Sequence, residues 1–445
     1  MTKHTSLPTF AANLSAADIP ADVRDRARLI IADTIGAIIG GMTTEPVQTL
    51  CERYANRYTG GGSVLGTDVS LPADHAAMLN GIAGTVLELD EGHKRAAGHP
   101  AIHVFPAVLA VAEVDDGTFG DVVTAFVAGY ETAVRVARAC NPLAEGYHPH
   151  GVWGIVGAAA AVANYQGVSN RMAADVLSIA ANHAQHTRFE AAFEGATVRD
   201  TYAGMVAPDA IRAVDQAQAG FTGIENGISI HLEHATADTV GEISTADLGD
   251  HWELLNGYFK IHAACRYTHP TLDAVDELAT KQPLEAEMIE SISVETYPAA
   301  AKLADPQPET RLAAKFSIPF AVASRIIHGH AGKKSFEPDA FRNEVYNLAD
   351  RVSVDSTPKF ADAVPDSRGA RVTIIQNGST SSSVVRHARG SSARPIDEFR
   401  LCEKFHTLVD PVLDDGAAEE AWSLLHSTSE QEIHTLCNHI TAGTV

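Results

Sequence analysis

Over its first 256 residues this chain repeats one pattern: apolar side chains three and four positions apart, set among alanines and glycines. After Ile19-Pro20, Val23, Ala27, Ile30, Ile31, Thr34 and Ile38 recur at helical spacing as far as Gly40-Gly41. Residues 120–138 carry Val122, Val123, Phe126, Val127, Tyr130, Val134 and Val136 in the same rhythm, and 154–165 and 172–183 follow. This spacing predicts helix after helix, each burying one face. The many small residues let neighbouring backbones approach closely, so a compact all-helical core is the expectation. Leu87, Val104, Phe105, Val108 and Leu109 belong to it.

The rhythm changes near residue 257. Residues 289–297 alternate with a period of two and predict a half-buried strand; 351–355 predict a shorter one. Residues 371–375 and 382–385 flank Asn377-Gly378, a hairpin signal. Helical stretches lie between, at 313–328 and 336–350, and Pro395-Ile396-Asp397 opens a last one. The expected fold is mainly α. A large helical domain, 1–256 plus 396–445, carries an inserted α+β domain at 257–395.

A chain of 445 residues is too long for one core, which agrees with two domains. Its 56 acidic against 33 basic residues give a formal charge of −23, which repels nucleic acid and anionic membrane surfaces. Cys51, Cys140, Cys265, Cys402 and Cys437 are scattered, odd in number and without a CxxC pair. A disulfide framework or cysteine metal site is not expected. The first residues lack an apolar signal core and runs such as 152–163 are too short to span a bilayer, so a cytoplasmic protein is the default.

Chemistry gathers in four stretches. Residues 87–100, Leu-Glu-Leu-Asp-Glu-Gly-His-Lys-Arg-Ala-Ala-Gly-His-Pro, hold three carboxylates, two histidines and two cations. They follow an apolar helix with Gly81 and Gly84 one turn apart. Glu88, Asp90 and Glu91 therefore meet a helix C-terminus, where unsatisfied carbonyls favour cations. Such a local cost is tolerated mainly where chemistry is done. The second stretch is Gly146-Tyr147-His148-Pro149-His150-Gly151, which as spacing alone reads first as a loop with surface histidines. The third surrounds Arg199-Asp200, either a carboxylate clamp or an exposed ion pair. The fourth runs from Phe259-Lys260 through Cys265-Arg266 to Thr268-His269, on the seam between the expected domains, where binding sites concentrate.

At these stretches the chain resembles the MmgE/PrpD family, which includes 2-methylcitrate dehydratase, cis-aconitate decarboxylase and iminodisuccinate epimerase. The resemblance spans nearly the whole chain through Asp33-Thr-Ile-Gly, the acidic segment with His99-Pro100, and Gly-Tyr-His148-Pro. It continues with Tyr202-Ala-Gly-Met, Phe259-Lys260 with Thr268-His269, and Ala314-Lys315-Phe316-Ser317. It implies a helical body, an α+β lid and a homodimer. By the same resemblance Glu88 and Asp90 match the first two acids of the family pattern, and His99 the His-Pro histidine. His148 matches a second active-site histidine and Lys260 a substrate-binding lysine. Arg199 stands where the decarboxylase-like members have lysine, and Gly92 where the family has threonine.

A di- or tricarboxylate needs several cations, and Lys94, Arg95, Arg199, Lys260 and Arg266 lie in these stretches of an otherwise acidic chain. Cations aimed at a substrate carboxylate stabilise the enolate-like charge that builds beside it. His99 or His148 supplies an acid or base near neutrality, oriented by Asp90 or Glu88. The expected activity is that of a lyase on a small polycarboxylate without a cofactor, 2-methylcitrate dehydratase-like, with cis-aconitate-type decarboxylation or dicarboxylate epimerisation as alternatives. Catalysis is assigned to His99, His148, Asp90 and Glu88, and substrate binding to Lys260, Arg199, Arg266 and His269. A metal-dependent hydrolase using His93, His99, His103, His148 or His150 is weaker, because the chain has no HExxH and these spacings are loose. Against a non-catalytic binding protein on the same scaffold stand the retained histidines; for it stand the Glu88, Gly92 and Arg199 departures from the family pattern.

Overall fold

The computed structural model describes residues 6–426 and 431–441. It is mainly helical, with one small mixed sheet. The early helices are α1 (Ala21–Met42), α2 (Ala73–Val86), α3 (Pro100–Val114), α4 (Phe119–Cys140), α5 (Gly154–Tyr165) and α6 (Asn170–Asn182). Each follows the apolar spacing of its sequence within a few residues. The N-terminus of α4 is fixed by a reciprocal cap, Thr118 accepting from the Asp121 N–H while the Asp121 carboxylate accepts from the Thr118 N–H. Around α5 the packing is closest, because its run of alanines lets α3 and α4 lie against it. Ile30, Ile31, Ile38, Val104, Phe105, Val108, Phe126 and Val134 are fully buried there. At roughly 1.5–3 kcal/mol for each large apolar side chain, this core supplies most of the drive to fold.

Among the elements that the apolar spacing does not mark are α7 (Val198–Met205) and the helix after it, Ala207–Gln218. The first crosses α2 through paired glycines. A Cβ on Gly81 would lie 2.6 Å from the Gly204 Cα, and one on Gly204 would lie 2.3 Å from the Met78 carbonyl oxygen. Only glycine permits that approach.

Beyond residue 257, β3 (Ile289–Thr296) pairs parallel with β4 (Val352–Ser356) and antiparallel with β5 (Ala370–Gln376), which pairs with β6 (Ser379–Val385). Ile292, Val294, Val372 and Ile374 are among its buried residues. Helix α8 (His269–Lys281) packs on β5 and β6. Two expectations are corrected. The stretch 313–328 is broken, because Pro319 cannot continue a helix; Arg311–Lys315 ends and α9 (Ile318–His328) restarts on Ser317, whose Oγ accepts from the Phe320 N–H at 3.0 Å. The stretch 336–350 keeps an α-helix only over Asn343–Ala349, with a short 3₁₀ turn at Pro338–Ala340, since Pro338 holds Glu337 extended.

Finally, α10 (Glu398–Val409) returns to pack along α1, with Phe405 against Gly36 and Leu408 against Gly40. Among the described residues, no single helix is long and apolar enough to cross a membrane.

Candidate active site

The acid-rich turn begins where α2 runs out. Leu87 caps the helix and Glu88 takes a left-handed φ of 55°, an uncommon conformation for a long side chain. The chain then enters β1 (Gly92–His93), which pairs with β2 (Gly257–Tyr258). This two-strand ladder joins the first stretch of chemistry to the fourth, and carries Lys260 to the turn. The Lys260 ammonium donates to Glu88 Oε2 at 2.8 Å and to Asp90 Oδ1 at 3.3 Å. The other Glu88 oxygen meets the Arg199 guanidinium, delivered by the glycine crossing of α7 on α2. Thr85 strengthens that crossing by donating to the Asp200 carbonyl at 2.6 Å.

The cost of acids at a helix C-terminus is thus offset by cations. Lys260 and Arg199 neutralise the two carboxylates, and Lys315 donates to the terminal Val86 carbonyl at 2.8 Å. Burial pushes the Glu88 and Asp90 carboxyls upward, but Arg199 with Lys260, and His99 with Lys260, outweigh it and hold both below the usual range. Burial, against the pull of neighbouring opposite charges, brings the Lys315 ammonium down to about 8 and lifts the Asp200 carboxyl to about 6.

His99 is fixed through one edge. Its Nδ1 lies 2.7 Å from the Glu91 carbonyl oxygen and 3.0 Å from Asp90 Oδ2, so Nδ1 carries the proton and Nε2 is the atom left to exchange one. Around it stand further imidazoles. His150 packs 4.9 Å from His99, 5.0 Å from His103 and 4.7 Å from His148, centroid to centroid. His103 is tied through Nδ1 to the His99 carbonyl at 2.8 Å, and burial lowers it to about 4. Burial likewise drives His148 and His150 well below the ordinary imidazole value. They therefore stand neutral beside the cations rather than adding to their charge.

His99, His148, Asp90, Glu88, Lys260 and Arg199 thus come from distant parts of the chain into one buried region. The loop at 146–151 is no surface feature: His148 and His150 are 3% and 0% exposed. Nor is Arg199–Asp200 an exposed pair, since both are buried. Arg266 and His269 bond elsewhere. Arg266 donates to His269 Nδ1 and to the carbonyls of Phe259, Ala388 and Arg389, and His269 Nε2 lies 3.2 Å from the Ala264 carbonyl. Arg95 is exposed. Gly92 proves spatially necessary, because a Cβ there would lie 2.4 Å from Tyr258 Oη; that ring fills the space a threonine would take.

Three groups lie outside the catalytic and substrate-binding residues assigned from the sequence. His150 sat in the right motif but was masked by its loop context. Lys315 lay in the Ala-Lys-Phe-Ser motif. Glu91 was counted among the acids without a role; it accepts from Tyr130 Oη at 2.6 Å and burial lifts it to about 8. For a metal, Asp90, His99 and His150 offer ligand atoms within 4.8 Å of one another. Lys260 and the His99 Nδ1–H already use the Asp90 oxygens, so an ion there would compete with both.

Fold and site together define a mainly helical protein with a buried carboxylate–imidazole–ammonium centre at the end of α2, equipped for proton transfer beside an anion. The chain belongs to the MmgE/PrpD family: the MmgE/PrpD N-terminal domain matches residues 5–230 and the C-terminal domain residues 262–429. It is 26% identical to the cis-aconitate decarboxylase-like protein oryM of Aspergillus oryzae, over 92% of this chain and 90% of that one. It is 25% identical to the cis-aconitate decarboxylase of Aspergillus terreus, over 94% and 91%. The human protein named cis-aconitate decarboxylase is 25% identical over 96% and 92%.

Proposed function

We propose that this protein is a lyase on a small di- or tricarboxylate, and that its reaction is decarboxylation of the cis-aconitate type. The sequence alone put dehydration of a 2-methylcitrate-like acid first. The names of the full-length relatives favour the alternative. The observation that carries the reading is the fixed His99, its Nδ1 held by Asp90 and the Glu91 carbonyl, beside the Lys260 and Arg199 cations.

In this reading a substrate carboxylate approaches Lys260 and Arg199. The C–C bond to a second carboxylate breaks, carbon dioxide leaves, and the electron pair passes into the system conjugated with the bound carboxylate. The cations stabilise that charge where it develops. His99, charged at Nε2 with Asp90 behind it, then gives its proton to carbon. Dehydration would use the same groups with hydroxide leaving instead. No cofactor is required by these steps. An α+β lid over the site and a homodimer, both implied by the family, belong to the same proposal.

The test is incubation with cis-aconitate, citrate and 2-methylcitrate, following carbon dioxide, the absorbance of the conjugated double bond and product by NMR. Carbon dioxide release with cis-aconitate is expected. Absorbance gained from a citrate without carbon dioxide would return the reading to dehydration. His99→Ala should lower kcat by ~10²–10⁴-fold with an unchanged melting profile. Turnover equal to the parent's would remove His99 from the mechanism. Activity lost to a chelator and restored by a metal would support the hydrolase-type alternative.

A further inference from the structure

Beside the active site lies a pocket in which every charged side chain is basic. Lys94, Arg266, Arg368 and Arg386 line it together with His387 and Tyr258. Among the described residues no aspartate or glutamate contributes to its wall, in a chain that carries 56 of them. Among the described residues, none of these four cations has a carboxylate oxygen within ion-pair distance. Neutral carbonyls hold three of them instead. The Lys94 ammonium donates to the Asp366 carbonyl at 2.6 Å, and Arg368 donates to the Lys94 carbonyl at 2.9 Å. Arg266 is spread over the carbonyls of Phe259, Ala388 and Arg389.

Unpaired like charges gathered in one concavity repel one another, and a protein of net charge −23 has ample acids with which to relieve that. Burial, and then the neighbouring Arg368, depress the Lys94 ammonium. A pocket so built is complete only when an anion enters it. Its position says which anion. Tyr258 forms a shared wall: the Arg266 guanidinium stacks 4.3 Å from the centre of its ring, and the same ring lies 6.4 Å from that of His99. Lys94 follows directly on β1 of the active-site turn, whereas Arg368 and Arg386 come from the segments flanking the β5–β6 hairpin.

We infer that this pocket is a capture site for a small polycarboxylate at the approach to the active centre, with Lys94, Arg368 and Arg386 as its anion-binding groups. The inference rests on the lyase reading for the identity of the anion. An unpaired cationic concavity raises the local concentration and the arrival rate of its counter-ion, by 10- to 1,000-fold in favourable cases. The two sites share the Tyr258 ring, which lines the pocket and lies 6.4 Å from the ring of His99.

Two measurements test it. In the first, Arg386→Glu, a change at an exposed position, should lower kcat/KM about tenfold at low ionic strength, with the loss falling on KM. The difference should close at about 0.5 M NaCl, where screening acts within a few ångströms. Equal kcat/KM for variant and parent at low salt would overturn the inference. The second needs no turnover. Calorimetric titration with propane-1,2,3-tricarboxylate is made on Lys260→Met, which disables the cation of the active-site turn. Binding should persist there and be lost when Arg368→Met or Arg386→Glu is added. Binding indifferent to both additions overturns the pocket, and inorganic phosphate binding as tightly as the tricarboxylate overturns the choice of anion. Should no acid be turned over, the lyase reading falls while the titration still reports on the pocket.

Discussion

His150 is the side chain whose surroundings explain it least. Its ring is fully buried, yet among the described residues neither nitrogen has a hydrogen-bond partner. An unmet buried polar group costs about 1–3 kcal/mol, and the arrangement makes sense if substrate supplies the missing partner. His150→Leu should then melt no lower than the parent while losing at least about tenfold in kcat/KM, a loss of ~1.4 kcal/mol in transition-state binding. Thermal melts and steady-state kinetics on one preparation decide it; unchanged kinetics would make His150 a packing residue. Glu91 gives a pH signature. Its carboxyl rises from an ordinary 4.5 to about 8 because it is buried, with Tyr130, Ala101 and Arg26 working the other way. Since the folded value lies above the unfolded one, the folded state holds the extra proton. Its contribution is complete below about 4.5 and is lost as pH climbs to about 8. Glu91→Gln should therefore flatten the fall in melting temperature across that window. Lys315, lowered to about 8, acts with the opposite sign only above it. A profile as steep in the variant as in the parent would refute the assignment. The types and order of Glu88, Asp90, His99 and Lys260 were legible in the sequence because their motifs are local. The burial that shifts Glu91 and strands His150 was not, because it depends on what packs over them from elsewhere.

Helices place these groups, and the crossing of α2 on α7 is the most demanding contact. The pair Gly81 and Gly84 announced a close approach in the sequence. The partner did not announce itself, because α7 spans only eight residues and shows little more than two turns of periodicity. What the crossing achieves is lateral: it brings Arg199 to Glu88 and the Asp200 carbonyl to Thr85. Gly204→Ala puts a methyl 2.3 Å from the Met78 carbonyl oxygen, so the helices must part. Overpacking of this kind costs about 1–3 kcal/mol. The same displacement loosens Arg199, so kcat/KM should fall together with stability. Gly61→Ala, whose nearest neighbour would be a Val114 methyl at 3.5 Å, serves as the control and should change neither. If both variants melt and turn over alike, the crossing is not what sets Arg199. The broken stretches at 313–328 and 336–350 teach the complementary point: a proline outranks apolar spacing, and Pro319 and Pro338 were visible throughout.

Across the whole molecule, the turn at 87–92 is a meeting point of chain segments that are far apart in sequence. Lys260 reaches it over 172 residues to Glu88, Lys315 over 229 to Val86, and Lys404 over 315 to Leu89. The last is the least expected, because α10 was read only as a closing helix. Its Lys404 ammonium donates at once to Asp33 Oδ1 at 2.5 Å and to the Leu89 carbonyl at 2.7 Å. Asp33 lies on α1 at 2% exposure, and burial already raises its carboxyl against the pull of Lys404. The C-terminal segment thus clamps the active-site turn to the first long helix through one cation. Removing that cation leaves a buried carboxylate unpaired, which typically costs about 3–5 kcal/mol. Lys404→Met should therefore be strongly destabilised at neutral pH. The deficit should narrow as the pH is lowered, because Asp33 then takes up a proton instead of standing charged. Adding Asp33→Asn removes the charge in need of a partner, so the double variant should regain most of the lost stability. It should not regain full activity, because the Leu89 carbonyl still lacks its donor. Denaturant melts of the parent, the single and the double variant at two pH values separate the terms. Single and double variants of equal stability would show that Asp33 is not held charged by Lys404. Full activity in the double variant would show that the turn keeps its shape without the clamp.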